Sequence, residues 1–252
     1  MKFRVLGCFG GQGPGFNLSG FLIEDRYLLD GGAASSTLSF EEQTKIDHIL
    51  LTHAHLDHTC GIFFLADNVL GQRQTPITIY SIPFVINSLK EHMFNNVIWP
   101  DFTQIPNADS PVIALKVIGE GISYSVGDLS VTPIAVSHNV PSVGYLVKGR
   151  RGAILYTGDT GPTKKIWKVV ASVKELRAII VEISFPNRLQ KIADLSGHLT
   201  PRSLQAEIAK AGDSFPPVFI THLKPQFLEE ISQELPSSPQ IQILEQGKTY
   251  QF

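Results

Sequence analysis

The segment THAHLDH at residues 52–58 constrains the fold most, because it places three histidines and an aspartate within six positions. The apolar run IDHILL that precedes it predicts a buried strand. Side chains two apart along an extended strand end project to the same side, so His53 and His55 can converge on one point. Asp57 and His58 follow as the chain turns and can face a second point nearby. Imidazoles and carboxylates suit zinc and its divalent neighbours, so this segment predicts a metal site.

The same arrangement recurs later in the chain, where apolar runs end in residues that can bind a metal. These residues are His138, Asp159 and His222. Sites collect at strand ends in layered α/β folds, because the loops there are free to vary. The early strands come in hairpins and the later ones alternate with helices, which predicts an α/β fold of two mixed β-sheets with helices on the outer faces. No linker interrupts the pattern, and we expect one domain over residues 1–252.

Two further features each allow a structural and a functional interpretation. Asp30 ends a predicted hairpin just before two glycines, and it either orients a ligand histidine or is an ordinary turn residue. The aromatic segment at residues 94–102 either packs along an edge of the fold or offers a wall for a flat base. Its candidate substrate contacts are Phe94, Trp99 and Phe102.

Composition limits the classes of partner and compartment. A net charge of -2 supplies no basic field for long nucleic acids, although a small anionic substrate held by metals remains compatible with it. Cys8 and Cys60 are too few for a disulfide framework, which predicts a reducing compartment, and we interpret Cys60 as a packing residue. The N-terminal segment reaches glycines before a signal-peptide core can form, and no apolar run is long enough to span a membrane. We therefore expect a cytoplasmic protein.

The segment HAHLDH at residues 53–58 resembles the HxHxDH motif of the metallo-β-lactamase superfamily, which binds a two-metal centre. Asp30, His138, Asp159 and His222 fall in the order of that superfamily's other site motifs. The resemblance implies an αββα sandwich with the site along one edge. It implies that His53, His55 and His138 hold one metal, that Asp57, His58 and His222 hold the other, and that Asp159 bridges them. The implied cofactor is two divalent ions, with zinc expected and manganese or iron as alternatives.

Several loops are similar to those of the class II 3′,5′-cyclic-nucleotide phosphodiesterases of this superfamily. These loops are HLDH at 55–58, WPDF at 99–102, EISFPN at 182–187, GHLTP at 197–201 and THLKP at 221–225. The similarity implies hydrolysis of the 3′ ester bond of cyclic AMP or cyclic GMP by a hydroxide between the metals, giving a 5′-nucleoside monophosphate. His198 is then the candidate general acid for the leaving oxygen. Asp57 is an alternative base, although metal coordination would lower its basicity.

Other functions stay open from sequence alone. The chain also resembles ribonuclease Z, but it lacks that enzyme's glycine- and proline-rich arm, and its charge does not favour RNA. RNA 3′ ends, thioesters and lactones are therefore alternative substrates for the same centre. A redox centre of the flavodi-iron type would carry Glu in place of His55, and a non-catalytic module would not require a complete ligand set. A small cyclic nucleotide is the expected partner, without long nucleic acid or membrane, and a homodimer is one option for assembly.

Overall fold

Over the residues that the structure describes, the chain forms two seven-stranded β-sheets packed face to face, with helices outside them. This computed structural model describes residues 1–212 and 215–252. The strands are β1 (Lys2–Gly7), β2 (Gly20–Ile23), β3 (Tyr27–Leu29), β4 (His48–Leu50), β5 (Ile77–Ser81), β6 (Ile113–Val117), β7 (Tyr124–Val126), β8 (Leu129–Ala135), β9 (Val143–Gly149), β10 (Gly152–Tyr156), β11 (Leu176–Glu182), β12 (Val218–Thr221), β13 (Ile241–Ile243) and β14 (Thr249–Gln251). The α-helices are α1 (Ala34–Thr37), α2 (Phe40–Gln43), α3 (Leu56–Asn68), α4 (Pro83–Ser88), α5 (Lys165–Ser172), α6 (Gln190–Ser196), α7 (Pro201–Ile208) and α8 (Leu228–Glu234). A π-helical turn follows α4 (Leu89–Met93), and 3₁₀ turns occupy Asn187–Leu189, Ala209–Ala211 and Pro225–Phe227.

The two sheets share one pairing pattern. The first sheet runs β14-β1-β2-β3-β4-β5-β6 and the second runs β7-β8-β9-β10-β11-β12-β13. In this order, each sheet begins with three antiparallel pairings and ends with three parallel ones. The predicted fold of two mixed sheets with helices outside is therefore confirmed.

Strand β11 shows how the layers are held together. Successive side chains of a strand point to opposite faces of its sheet. Ala178 and Ile180 pack in the cluster shared with the first sheet, whereas Ile179 and Val181 pack in the cluster beneath the outer helices, with Trp167. Both faces are therefore buried, which explains why this segment is continuously apolar instead of alternating.

The carboxyl ends of the strands position the candidate site. Strands β10, β11 and β12 are parallel neighbours, so their carboxyl ends lie along one edge of the second sheet. His53 follows β4, His138 follows β8, Asp159 follows β10 and His222 follows β12 directly. Residues far apart in the sequence are thereby brought to one edge of the fold.

Some element boundaries differ from the prediction. Helix α3 begins at Leu56, so Asp57 and His58 lie in its first turn, whereas the sequence predicted only that they follow as the chain turns. Strands β13 and β14 were not predicted, because each is three residues long and only partly buried. Thr200 is the N-cap of α7, since its hydroxyl accepts a hydrogen bond from the Ser203 amide at 3.3 Å. Within the described part of the chain, no helix has both the length and the apolar character needed to cross a bilayer.

Candidate metal centre

Four side chains form a first group of potential metal ligands. They are His53, His55, His138 and Asp159, whose ligand atoms all lie within 4.8 Å of one another. His55 Nδ1 lies 3.0 Å from His53 Nε2 and 3.3 Å from His138 Nε2. Three ring nitrogens that converge in this way present lone pairs to a common point, which is the arrangement a cation requires.

A second group shares Asp159 with the first. Its members are Asp57, His58, Asp159 and His222, again with ligand atoms within 4.8 Å of one another. His222 Nε2 lies 3.2 Å from both His58 Nε2 and Asp57 Oδ2. Asp159 Oδ1 lies 3.3 Å from His58 Nε2, while its Oδ2 lies 3.7 Å from His53 Nε2. One carboxylate therefore faces both groups.

Hydrogen bonds fix the orientation of two rings in the first group. His138 Nδ1 donates to the carbonyl of Gly197 at 2.9 Å, and His53 Nδ1 donates to the Thr52 hydroxyl at 3.0 Å. Each ring thereby keeps its Nε2 lone pair directed at the group, as metal-binding histidines do. Gly197 has a φ of 70°, and a Cβ at this position would lie 2.9 Å from His138 Cα. The close approach of Gly197 to His138 therefore requires glycine.

Asp30 fixes the orientation of His58 in the second group. The carboxylate is fully buried and accepts hydrogen bonds from His58 Nδ1 at 2.7 Å, the Tyr156 hydroxyl at 2.8 Å and the Thr52 amide at 2.8 Å. The bond from Nδ1 leaves His58 Nε2 free to face the group. Of the two interpretations of Asp30, the geometry supports the orienting one.

Glu182 and Ser184 were not anticipated as site residues. His222 Nδ1 donates to the Ser184 hydroxyl at 2.9 Å, and that hydroxyl donates to Glu182 Oε2 at 3.1 Å. The other oxygen of Glu182, Oε1, accepts from His198 Nδ1 at 2.8 Å. Glu182 could have been recognised from its place at the end of a buried strand, because several candidate histidines also follow the ends of strands.

His198 lies between the two groups. Its ring centroid is 5.1 Å from that of His138 and 5.5 Å from that of His222. Burial lowers the pKa of His198, but the carboxylate of Glu182 outweighs this effect, and the pKa is raised above its ordinary value. The raised pKa increases the protonated fraction of the ring. Because Nδ1 is bonded to Glu182, Nε2 is the nitrogen that can face a bound molecule.

The donor set fits divalent cations. Asp159 Oδ1 is buried and makes no hydrogen bond to any residue that the structure describes. An unsatisfied buried carboxylate oxygen is costly, and a cation between the groups removes that cost. Imidazoles and carboxylates without thiolates are ligands that zinc, manganese and iron all accept. These side chains therefore meet the requirement for divalent metal that the resemblance implies.

The protonation states also suit a cation. Burial lowers the pKa of His53 well below its ordinary value, which keeps the imidazole neutral. Burial acts against ionisation of Asp159, but His222 and His58 outweigh it and hold the pKa of this carboxyl well below its usual range. Asp57 shows the same balance, since His222 and His58 lower its pKa more than burial raises it. A neutral His53 and ionised carboxylates are forms that bind metals. Burial lowers the pKa of His58, but Asp159 and Asp30 outweigh this effect and hold it well above its ordinary value, so a cation must displace a proton from this ring.

Gly10, in the glycine-rich loop after β1, packs directly against His222. A Cβ on Gly10 would lie 2.5 Å from His222 Nδ1 and 2.7 Å from the His222 carbonyl oxygen. The Lys224 ammonium donates to the Gly10 carbonyl at 3.0 Å and holds this loop in place. The loop, which lacks the spacing of a dinucleotide-binding motif, instead completes the packing around a candidate ligand.

We expect Gly10→Ala to displace His222 and to weaken metal binding by about 10- to 100-fold, the usual effect of disturbing the support of a ligand. Zinc titration of metal-free protein by calorimetry measures this change. Gly13→Ala is the matched control, because a Cβ there meets nothing closer than 3.7 Å. Equal affinities in the two variants would contradict the proposed role of Gly10.

The aromatic segment divides between the core and the surface. Phe94 and Phe102 are each 2% exposed, so neither ring can offer a face to a substrate, which corrects their assignment as substrate contacts. The two rings were misassigned because the segment's aromatic pattern suits a core as well as a binding wall. Trp99 donates its indole N–H to the Phe63 carbonyl at 3.1 Å and packs edge-on against Phe64. Stacking of a base on Trp99 stays a prediction.

A family model, two related sequences and a solved structure all relate this chain to the same superfamily. A probable 3′,5′-cyclic-nucleotide phosphodiesterase of Yersinia pestis is 29% identical over 244 residues, covering 82% of this chain and 68% of that protein. A 3′,5′-cyclic-nucleotide phosphodiesterase of Schizosaccharomyces pombe is 26% identical over 270 residues, covering 90% and 75% respectively. The crystal structure of unliganded yeast PDE1 superposes with a TM-score of 0.84 at 21% identity, over 98% of each chain. The family model described as "Beta-lactamase superfamily domain" matches residues 26–222, and this chain therefore belongs to the metallo-β-lactamase superfamily, whose fold is that of metal-dependent hydrolases.

Proposed function

We propose that the protein hydrolyses the 3′ ester bond of 3′,5′-cyclic nucleotides and releases 5′-nucleoside monophosphates. The observation that carries the proposal is His198, a protonatable ring bonded to the buried carboxylate of Glu182 between two groups of potential metal ligands. The relatives support the substrate class, since those of Yersinia pestis and Schizosaccharomyces pombe are both named for 3′,5′-cyclic nucleotides.

The proposed cofactor is two divalent cations, one for each group, with zinc expected. When bound, such ions supply an acidified water and neutralise charge on the phosphate oxygens. The chain's own contribution is to present seven oriented side chains, with Asp159 common to both groups. Asp57 is assigned to ligation and not to proton transfer, because a carboxyl with so low a pKa is a poor base near neutral pH.

His198 supplies the proton that the reaction needs. The O3′ oxygen leaves as an alkoxide unless an acid protonates it, which makes this proton a large part of the barrier. His198 Nδ1 is engaged by Glu182 at 2.8 Å, so Nε2 is the nitrogen that carries the transferable proton. Glu182 stabilises the charged ring before the transfer and keeps the neutral ring in place after it.

A substrate panel tests this function. Zinc-, manganese- and iron-loaded protein is assayed with cyclic AMP, cyclic GMP, a precursor RNA with a 3′ extension, an aryl phosphodiester and an acyl thioester. We expect the highest kcat/KM on the cyclic nucleotides, with the 5′-monophosphate as the product identified by chromatography. Preferred cleavage of the RNA or the thioester, or release of a 3′-monophosphate, would overturn the proposal.

A further inference from the structure

Ser184 lies within a buried hydrogen-bond network beside the second group. It is fully buried, and its Oγ lies 2.9 Å from His222 Nδ1, 3.1 Å from Glu182 Oε2 and 3.2 Å from His198 Nδ1. A hydroxyl has one proton to donate and two lone pairs with which to accept. One hydroxyl therefore contacts a potential ligand, a carboxylate and the proposed general acid.

The carboxylate of Glu182 decides how this hydroxyl is used. An ionised carboxylate only accepts hydrogen bonds, so the Ser184 proton goes to Glu182 and the lone pairs of Oγ remain for ring N–H groups. His198 Nδ1 has a closer acceptor in Glu182 Oε1, at 2.8 Å. His222 Nδ1 is therefore the ring nitrogen that donates to Ser184, and His222 Nε2 keeps the lone pair that faces the second group.

The Ser184 hydroxyl thereby selects the tautomer of His222 that can bind a metal. His222 Nε2 lies 3.2 Å from Asp57 Oδ2, so a ring with its proton on Nε2 would donate to that carboxylate and offer no lone pair to a cation. His222 also has a left-handed backbone conformation, with a φ of 63°, which the surrounding contacts must hold in place. Loss of the hydroxyl would leave Nδ1 without this acceptor and favour the wrong tautomer.

The same arrangement occurs for two other rings of the centre. Asp30 accepts from His58 Nδ1 at 2.7 Å and from the Thr52 hydroxyl at 2.9 Å, and that hydroxyl accepts from His53 Nδ1 at 3.0 Å. Each of the two buried carboxylates thus orients one ring directly and a second ring through a hydroxyl. This recurrence indicates that a hydroxyl between a carboxylate and a ring is part of how the centre is built.

We propose that Ser184 is a positioning residue that connects the second metal site to the general acid, an inference that rests on the function proposed above for the role of His198. Through Ser184, the carboxylate of Glu182 orients His222 as well as His198. Loss of the hydroxyl should weaken metal binding at the second group and leave the first group unchanged.

Zinc calorimetry on proteins that keep only one group tests this assignment. His55→Ala and His138→Ala together leave the second group, and Asp57→Ala and His58→Ala together leave the first. In the former protein, Ser184→Ala should raise the Kd for zinc by about 10- to 100-fold, the usual effect of losing the hydrogen-bond partner of a ligand. In the latter protein, the Kd should not change. An equal effect in both proteins, or none in the former, would overturn the proposal.

A double-mutant cycle tests the connection to Glu182. Glu182→Gln should also weaken zinc binding at the second group, because it removes the charge that accepts the Ser184 proton. The variant that carries both Glu182→Gln and Ser184→Ala should lose no more affinity than Ser184→Ala alone, since the two residues act through the same hydrogen bonds. Losses that add would contradict a connection through Ser184.

Ser81→Ala is the matched control, because Ser81 is also fully buried and its hydroxyl donates to the Leu51 carbonyl at 2.6 Å. It should leave both zinc affinities unchanged. Where circular dichroism shows that a single-group protein does not fold, the comparison is made on the otherwise native chain by dialysis against a chelator that leaves two zinc ions in the wild type. Ser184→Ala should then keep one zinc ion per chain, and two would overturn the proposal.

Kinetics distinguish failure of this proposal from failure of the proposed function. Excess zinc should restore the kcat of Ser184→Ala on cyclic AMP, because the bond between Glu182 and His198 remains, whereas it should not restore His198→Ala. A Ser184→Ala protein that stays inactive at saturating zinc would contradict a role confined to positioning. Wild-type protein that binds two zinc ions but cleaves no cyclic nucleotide would instead overturn the proposed function.

Discussion

Replacement of Asp159 by alanine is expected to abolish phosphodiester hydrolysis and to reduce metal binding at both groups. The reason is that a single carboxylate serves both, with Oδ1 near His58 and Oδ2 near His53. We expect kcat/KM to fall on the order of 10⁴-fold or more, as when a residue that acts in a unit with others is removed. Metal equivalents per chain after dialysis and kcat/KM on cyclic AMP are the measurements.

Asp109→Ala is the control for this experiment, because Asp109 is exposed and belongs to neither group. Thermal unfolding with and without chelator shows whether each variant is folded. A folded Asp159→Ala protein that keeps the metal content of the wild type would contradict the sharing of this carboxylate.

His198→Ala should lower kcat on cyclic AMP by about 10²- to 10⁴-fold, the range for loss of a general acid, while metal content is retained. The loss should be smaller on an aryl phosphodiester, because a nitrophenolate leaves without needing a proton. Glu182→Gln keeps the shape of the partner but removes its charge, and it should give an intermediate loss on cyclic AMP.

The control for His198 is His92→Ala, since the His92 side chain is 72% exposed. The measurement is kcat from steady-state kinetics on cyclic AMP and on the aryl phosphodiester. If His198→Ala lost activity equally on cyclic AMP and on the aryl phosphodiester, the assignment of His198 as general acid would be rejected.

The sequence indicated several of the candidate ligands because His53, His138 and Asp159 follow the ends of apolar strands within three residues and His222 follows β12 directly. Period-two geometry predicted convergence of His53 and His55, and the resemblance supplied the same two groupings that the structure brings together. The fold class followed from the same alternation of hairpins and strand–helix units.

The residues that the sequence did not identify depend on contacts between distant segments. Ser184 is 38 residues from His222, and Gly10 contacts the same ring across almost the whole chain. The spacing of apolar residues within one strand or helix gives no information about such a contact. Phe94 and Phe102 were misassigned for a related reason, since the aromatic content of a segment does not reveal which rings are buried.

The division of each group of potential ligands between the two halves of the chain has a consequence for biosynthesis. Each group takes two side chains from the segment before residue 60 and two from beyond residue 130. A bound cation therefore links the two halves of the chain. A free cation concentration of 1,000 times the Kd would add about 4 kcal/mol to the free energy of unfolding. Because His222 is a member of the second group, a growing chain can complete that group only after residue 222 has left the ribosome.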